Sequence, residues 1–357
     1  MGCLNTPSGS ACYPFRMRFS LLAIFGAFGV LTQCGSEGEA PCDNCTDAGT
    51  PVDEAGNQDV GAIDPDASDP DAPSPNEDPV TPPATQDELI RAFAPHLHLN
   101  PDDPNRPSSV DWYLARVRMR FHHNNCVDHE LLPLGSVTQA TLVSQEHADN
   151  KSLCRHDDAL VRKSTNSENF FLEVMDTSTY LGSPRSDWRT YVTWDRPGGT
   201  GAATISYWFF YPFNDNTSVI DHESDWEHVR VVIIPEKGAK EEALESIYFS
   251  QHHGGQSLDA KDPRVQWQGT HPVVYSAKGT HANFPTVGTF DIAGTAGIAK
   301  DVTKAAAPGD VWETEKQAVL IGTRAAPKNG QVFVKYWGRW GELRDLPETN
   351  GILRHFP

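Results

Sequence analysis

The stretch Tyr207–Ile234 reads YWFFYPFNDNTSVIDHESDWEHVRVVII, and its pattern is that of a β protein. An aromatic run, Tyr207–Phe213, enters a polar loop, and a β-branched run, Val229–Ile234, leaves it. Both residue classes favour extended backbone, so the stretch predicts two strands joined by a charged connection. Alternate residues of the aromatic run face opposite sides of a buried strand, so core packing accounts for them without a ligand. If a strand opens at Glu227, Asp225 and Glu227 lie on one face and Trp226 points the other way, into the core. His222 comes from the loop just before.

Working outward, further strands are expected at Phe170–Val174, Arg189–Trp194, Thr204–Tyr211, Glu227–Ile234, Ser246–Gln251, Pro272–Ala277 and Gln331–Tyr336. Gly, Pro, Asn and Asp fill the gaps between them. Many short strands with turn residues between them indicate a mainly β fold, a β-sandwich with a few short helices. His96–Leu99 alternates like an edge strand. Thr85 with Glu88 reads as a capping box opening a helix through Phe93, which Pro95 ends. Ser108 and Ser109 are placed to cap a helix from Val110 to Arg116, and a third is expected near Lys237–Leu244.

The chain ahead of this domain differs sharply in composition. All 14 His and 9 Trp lie at or beyond His96, whereas Glu37–Glu88 holds 15 acidic residues and no Lys or Arg. Such a Pro- and Ala-rich acidic stretch cannot bury enough apolar surface to offset its ordering entropy, so residues 35–85 read as a disordered linker. Residues 89–357 carry 33 acidic and 27 basic side chains, a net of −6 against −19 for the whole chain. That balance argues against a nucleic-acid partner. Nothing in the sequence sets an oligomeric state.

The N-terminus reads as an export segment over residues 1–34. Arg16 and Arg18 precede the apolar run Phe19–Leu31, which is short for a membrane span and fits a signal h-region. Met17 is an alternative start. Leu31-Thr32-Gln33-Cys34-Gly35 resembles a bacterial lipobox, with Gln33 where a small residue is usual, so Cys34 is the expected lipidation site. The expected location is a membrane-anchored bacterial lipoprotein, periplasmic or at the cell surface, with plain secretion as the alternative. Cys126 and Cys154 are expected to form a disulfide, because export favours oxidation. Cys42 and Cys45 form a lone CDNC pair in the linker, for which a local disulfide is a simpler reading than a metal site.

Carboxylates and imidazoles converging where loops meet strands suit a divalent cation. Asp215, His222, Asp225 and Glu227 are the first candidates, and His252 in SQHHGG and His281 in KGTHANFP are placed to complete the shell. With no thiolate in the set, Ca²⁺ or Mg²⁺ is favoured over structural zinc, with Mn²⁺ as a further option. Clustering by chance in an acidic protein, or a second-shell role for the two histidines, explains the same residues. His96 and His98 share a face, but such pairs are common on exposed edges. His122 and His123 match no zinc spacing. Nucleophile elbow, phosphate-binding loop and HExxH patterns are all missing.

Several ordered motifs carry a resemblance. Arg106–Leu114 (RPSSVDWYL), Tyr207–Asn214 (YWFFYPFN), Asp225–Val229 (DWEHV), Ser246–Gly255 (SIYFSQHHGG), His271–Phe290 and Lys335–Glu342 (KYWGRWGE) together resemble the vacuolar protein sorting-associated protein 62 family, over roughly residues 90–350. That resemblance implies no particular chemistry. A remoter one is to the Nep1-like necrosis-inducing proteins, secreted β-sandwich cytolysins with a Gly-His-Arg-His-Asp-Trp-Glu heptad. It places His222, Asp225 and Glu227 on the heptad's His, Asp and Glu, and Asp215 near an upstream Asp. It implies a divalent-cation site at a membrane-facing end. Asp221 replaces the heptad's Gly and Ser224 its second His, so the loop geometry is expected to differ.

Three functions fit these readings. One is a cation site that binds a membrane lipid, glycan or glycolipid. The second is a metal-dependent hydrolase of phosphoesterase type, with His252 or His281 as general base. The third is a structural surface lipoprotein whose carboxylates pin a loop.

Overall fold

The computed structural model describes residues 85–123, 127–147, 162–163, 169–199, 201–216, 220–235, 242–252, 254–292, 295, 297–344 and 350–357. The chain divides into two units, Met1–Pro73 and Ser74–Pro357, and every described residue belongs to the second. The export segment, the linker up to residue 84, Cys34, Cys126 and Cys154 lie outside the described residues.

The domain is mainly β. Its largest sheet has six strands in the order Gly254–Asp259, Glu242–Gln251, His222–Pro235, Ala203–Asn214, Thr190–Asp195 and Ala318–Leu320. The last joins in parallel; the other neighbours are antiparallel. A second sheet runs Gln266–Gln268, His271–Ser276, His96–His98, Val311–Glu313, with Asn283–Phe284 paired to the far end of His271–Ser276. A third joins His129–Leu132, Val117–Phe121 and Phe170–Val174. Among the described residues, no helix is long and apolar enough to cross a membrane.

The aromatic run alternates as its pattern predicts. Ile205, Tyr207, Phe209 and Tyr211 pack in one core with Leu97, Val274 and Trp312 of the second sheet. Trp208, Phe210 and Trp226 belong to the other core, with Phe121 of the third sheet and Phe333 and Trp340 of the C-terminal segment. Residues 205–211 are therefore buried on both faces of the six-stranded sheet, whereas further along His222–Pro235 only Val229, Val231 and Ile233 are fully buried and Arg230 is exposed. Trp226 sits edge-on to Trp340 at 5.3 Å and tilted against Phe210 at 4.8 Å. Each such aromatic pair contributes about 1 kcal/mol beyond area burial.

The N-terminal helix spans Gln86–Ala92, and the reciprocal Thr85–Glu88 capping box is present. The helix after Ser109 spans Val110–Leu114, with the Ser109 hydroxyl accepting from Trp112 N. Four expectations need correction. His96–His98 is an interior strand with partners on both sides, because Trp312 and Val274 flank the buried Leu97. The strand holding DWE begins at His222, five residues earlier than expected, since its register with Ala203–Asn214 continues to the pair Asn214–His222. Glu242–Leu244 is strand, held by pairing with Ile233–Pro235, which overrides helical propensity. Val332–Lys335 is a 3₁₀ turn, which buries Phe333 and Val334 together beneath Trp226 and Trp340.

Candidate functional site

The strands Ala203–Asn214 and His222–Pro235 meet at one end of the six-stranded sheet, and the Ala277–Ala282 turn closes over that end from the second sheet. Asp225 and Glu227 share a face, as strand alternation requires, and are 3% and 4% exposed. Two residues earlier the alternation breaks. Ser224 is left-handed at φ 62°, which turns Glu223 toward the third layer, away from Asp225. There Glu223 accepts from Val174 N at 3.1 Å, Glu342 N at 3.0 Å and the Tyr180 hydroxyl at 2.9 Å. Burial raises its carboxyl to about 7 despite those three donors.

His281 lies between two carboxylates. Its Nδ1 is 2.9 Å from Asp225 Oδ2 and its Nε2 is 3.6 Å from Asp103 Oδ2. The Tyr211 ring stacks on it at 3.7 Å and 4°. Gly279 N donates to Asp103 Oδ2 at 2.8 Å, and Asp215 N donates to Gly279 O at 3.0 Å. Gly279 has φ +76°, and a Cβ there would stand 1.8 Å from Asp215 O, so only glycine fits.

On the neighbouring strand, Ser250 donates its hydroxyl to Glu227 and accepts from His228 N at 2.8 Å. Burial and the adjacent Asp225 charge push the Glu227 carboxyl well above the usual carboxylate range, against the pull of Ser250. His252 faces Asp301 Oδ2 at 2.9 Å, and Asp301 Oδ1 accepts from the Thr280 hydroxyl at 2.5 Å. Burial lowers the His252 imidazole, but the hydrogen bond and charge of Asp301 outweigh it, so the net shift is upward. Ser224, His252 and His281 are three of the four non-glycine residues with positive φ among the described residues, and all three border this cluster. Backbone strain concentrated in this way is a mark of functional sites.

Of the six residues picked out in the sequence, Asp225, Glu227, His252 and His281 come together here. Asp215 supplies backbone to the turn while its side chain is exposed. His222 turns its Nδ1 to Ser224 O at 2.8 Å. Asp103 and Asp301 were missed: Asp103 sits in a PDDP turn that reads only as a turn, and Asp301 stands alone in a short strand. They bring the buried carboxylates to four, and among the described residues no Lys or Arg forms an ion pair with any of them. The side-chain oxygens of Asn214 and Asn283 are also buried there without a hydrogen-bond partner. His228 lies on the other face, stacked on Trp208 at 4.1 Å, as alternation predicts. Among the described residues, two sets of three donor atoms lie within 4.8 Å of one another: His123, His129 and His147, and His96, His271 and Glu315; the Asp225 cluster is spread more widely than either.

The family described as Vacuolar protein sorting-associated protein 62 matches residues 78–343. No curated protein sequence aligns significantly with the chain. Solved structures similar to it include the non-toxic HaNLP3 protein, at 14% identity and TM-score 0.34, covering 75% of this chain and 86% of that one. Necrosis and Ethylene inducing Protein 2, from the causal agent of cocoa's Witches Broom disease, is similar at 18% identity and TM-score 0.30, covering 63% and 72%. NLPPya in complex with glucosamine is similar at 13% identity and TM-score 0.33, covering 76% and 86%.

Proposed function

The chain belongs to the vacuolar protein sorting-associated protein 62 family, and we propose that its domain is an exported, Cys34-anchored binding module in which a divalent cation seated at the Asp225 cluster bridges the protein to a membrane lipid, glycan or glycolipid. The observation that carries this reading is the set of four buried carboxylates, Asp103, Asp225, Glu227 and Asp301, gathered without a Lys or Arg ion pair. Burying a carboxylate costs several kcal/mol, which the His252 and His281 contacts offset in part and a bound cation would offset further. Oxygen ligands suit Ca²⁺ or Mg²⁺, and the unpartnered amide oxygens of Asn214 and Asn283 add neutral donors of the same kind; His281 or His252 in the set would admit Mn²⁺. Two exposed apolar side chains, Val287 and Ile298, stand beside the paired strands Gly288–Asp291 and Lys300–Thr303, the second of which carries Asp301, and this supports a membrane-bound ligand.

The test is flotation of the full chain carrying Cys34→Ser, which removes the proposed lipid anchor, with glycolipid-containing vesicles in Ca²⁺ or in chelator, beside the same chain with Asp225→Asn. Binding that needs Ca²⁺ and falls at least tenfold in the variant is the expected result. Equal binding in chelator contradicts it. A variant that binds normally but melts earlier would reduce the cluster to a structural pin.

A hydrolase is the second reading, favoured by the His252–Asp301 pair. A half-buried imidazole held by a buried carboxylate is the usual support for a general base. Cation-dependent phosphoester cleavage lost in His252→Ala would select it.

A further inference from the structure

We infer that His96, His271 and Glu315 form a second metal site, for a borderline divalent ion with Zn²⁺ foremost, at the end of the second sheet away from Asp225. The strands His96–His98 and His271–Ser276 run parallel, so His96 and His271 both open their strands. The Asp225 cluster lies beyond the other ends, where His271–Ser276 leads into the His281 turn. Glu315 comes from the 3₁₀ turn that follows Val311–Glu313. One ligand atom from each of the three lies within 4.8 Å of the others.

The ring nitrogens are already sorted for ligation. His96 Nδ1 is 2.6 Å from Gln268 Oε1, and His271 Nδ1 is 2.8 Å from Ala94 O. The Ala94 carbonyl can only accept, so His271 Nδ1 is the protonated nitrogen and Nε2 holds the lone pair. Gln268 presents Oε1 to His96 Nδ1, an arrangement that pairs with the same tautomer there. A carbonyl behind the remote nitrogen is the arrangement that orients metal-binding histidines.

His96 Nε2 and Glu315 Oε2 are both buried without a hydrogen-bond partner, and they are 3.6 Å apart. That separation is too long for a hydrogen bond. Ligands about 2.1 Å from a tetrahedral zinc stand roughly 3.4 Å from one another, so the spacing fits a shared ion. The His96 and His271 rings stack at 4.3 Å and 11°, so their lone pairs run nearly parallel and one ring has to tilt for both to meet a shared ion.

Two imidazoles with a single carboxylate exclude the all-oxygen preference of Ca²⁺ and Mg²⁺ and suit Zn²⁺. Three protein ligands leave a fourth position for water or another donor. The side chains of His96 and Glu315 are 11% and 18% exposed, enough for an ion to enter. An ion here would clip the first strand of the domain, just after the Gln86–Ala92 helix, to segments more than 170 residues later in the chain.

The test uses the full chain with Zn²⁺ alone, beside Glu315→Gln and His271→Ala, with zinc measured by elemental analysis after dialysis. Because His123, His129 and His147 also hold donors close together, the informative quantity is the difference between proteins. The parent is expected to retain one more zinc per chain than either variant. Zinc at about a hundred times its dissociation constant should raise the parent's Tm by about 5 °C and leave the variants' unmoved at that step. Melting in chelator confirms that each variant is folded, and Glu315→Gln keeps the shape of the side chain. Equal zinc in the parent and both folded variants overturns the inference, as does a parent that retains none.

Discussion

Replacing Glu223 with Gln isolates the buried carboxyl that holds three segments together. Glu223 is 1% exposed and accepts from Val174 N, Glu342 N and Tyr180. Burial lifts its carboxyl from 4.5 to about 7, so the folded state holds a proton that the unfolded chain releases at lower pH. Stability from this group is therefore fully present below about pH 4.5 and is lost as pH rises through about 7. Each pH unit in that window is worth 1.36 kcal/mol, so the loss between pH 5 and pH 8 is roughly 2–3 kcal/mol. Gln cannot ionise, and its amide still presents one oxygen to Val174 N and Glu342 N and a nitrogen to Tyr180. Urea unfolding of the parent and of Glu223→Gln at both pH values reads the effect. The variant is expected to gain about 2–3 kcal/mol on the parent as pH goes from 5 to 8. Parallel pH profiles would show instead that Glu223 titrates alike in the folded and unfolded states.

Gly279→Ala places a methyl group against Asp215 O in a left-handed turn and is expected to cost about 3 kcal/mol or more, read by denaturant unfolding. Asp301→Asn removes the charge that outweighs burial at His252, so the His252 imidazole midpoint, followed by NMR titration, should move down. Trp226→Ala opens a cavity among Phe210, Phe333, Trp340 and Phe356, and should cost about 3–5 kcal/mol in the same unfolding assay.

The strands were legible where residue type and period agree. Tyr207–Phe213 carries aromatic residues on both faces of a strand buried on both sides, and Val229–Ile234 is β-branched with its Val229, Val231 and Ile233 face turned into the core. Trp226 and His228 fall opposite Asp225 and Glu227 because strand alternation leaves no other choice. The reading failed where tertiary pairing overrides local preference. Glu242–Leu244 has helical composition yet pairs with Ile233–Pro235. Gln331–Tyr336 has strand composition yet folds into a turn that buries Phe333. His96–His98 alternates like an edge, but both its edges are covered by strands from distant parts of the chain, Val311–Glu313 and His271–Ser276. Long-range topology also hid Asp103 and Asp301, whose neighbours at the site lie far away in sequence. The same holds for the convergence of His96, His271 and Glu315, which no local spacing encodes. The reversal at Ser224 was out of reach as well, since a left-handed serine leaves no compositional mark.

The proposed function stands on a divalent cation at the Asp225 cluster. Equilibrium dialysis of the full chain against radioactive Ca²⁺, beside an Asp225→Asn/Glu227→Gln double variant that melts like the parent in chelator, tests it most directly. One Ca²⁺ per parent chain and none in the variant is the predicted result. Equal Ca²⁺ in both proteins, or none in the parent with Ca²⁺ and then Mn²⁺ in excess, would contradict it and leave the four carboxylates as a hydrogen-bonded clamp.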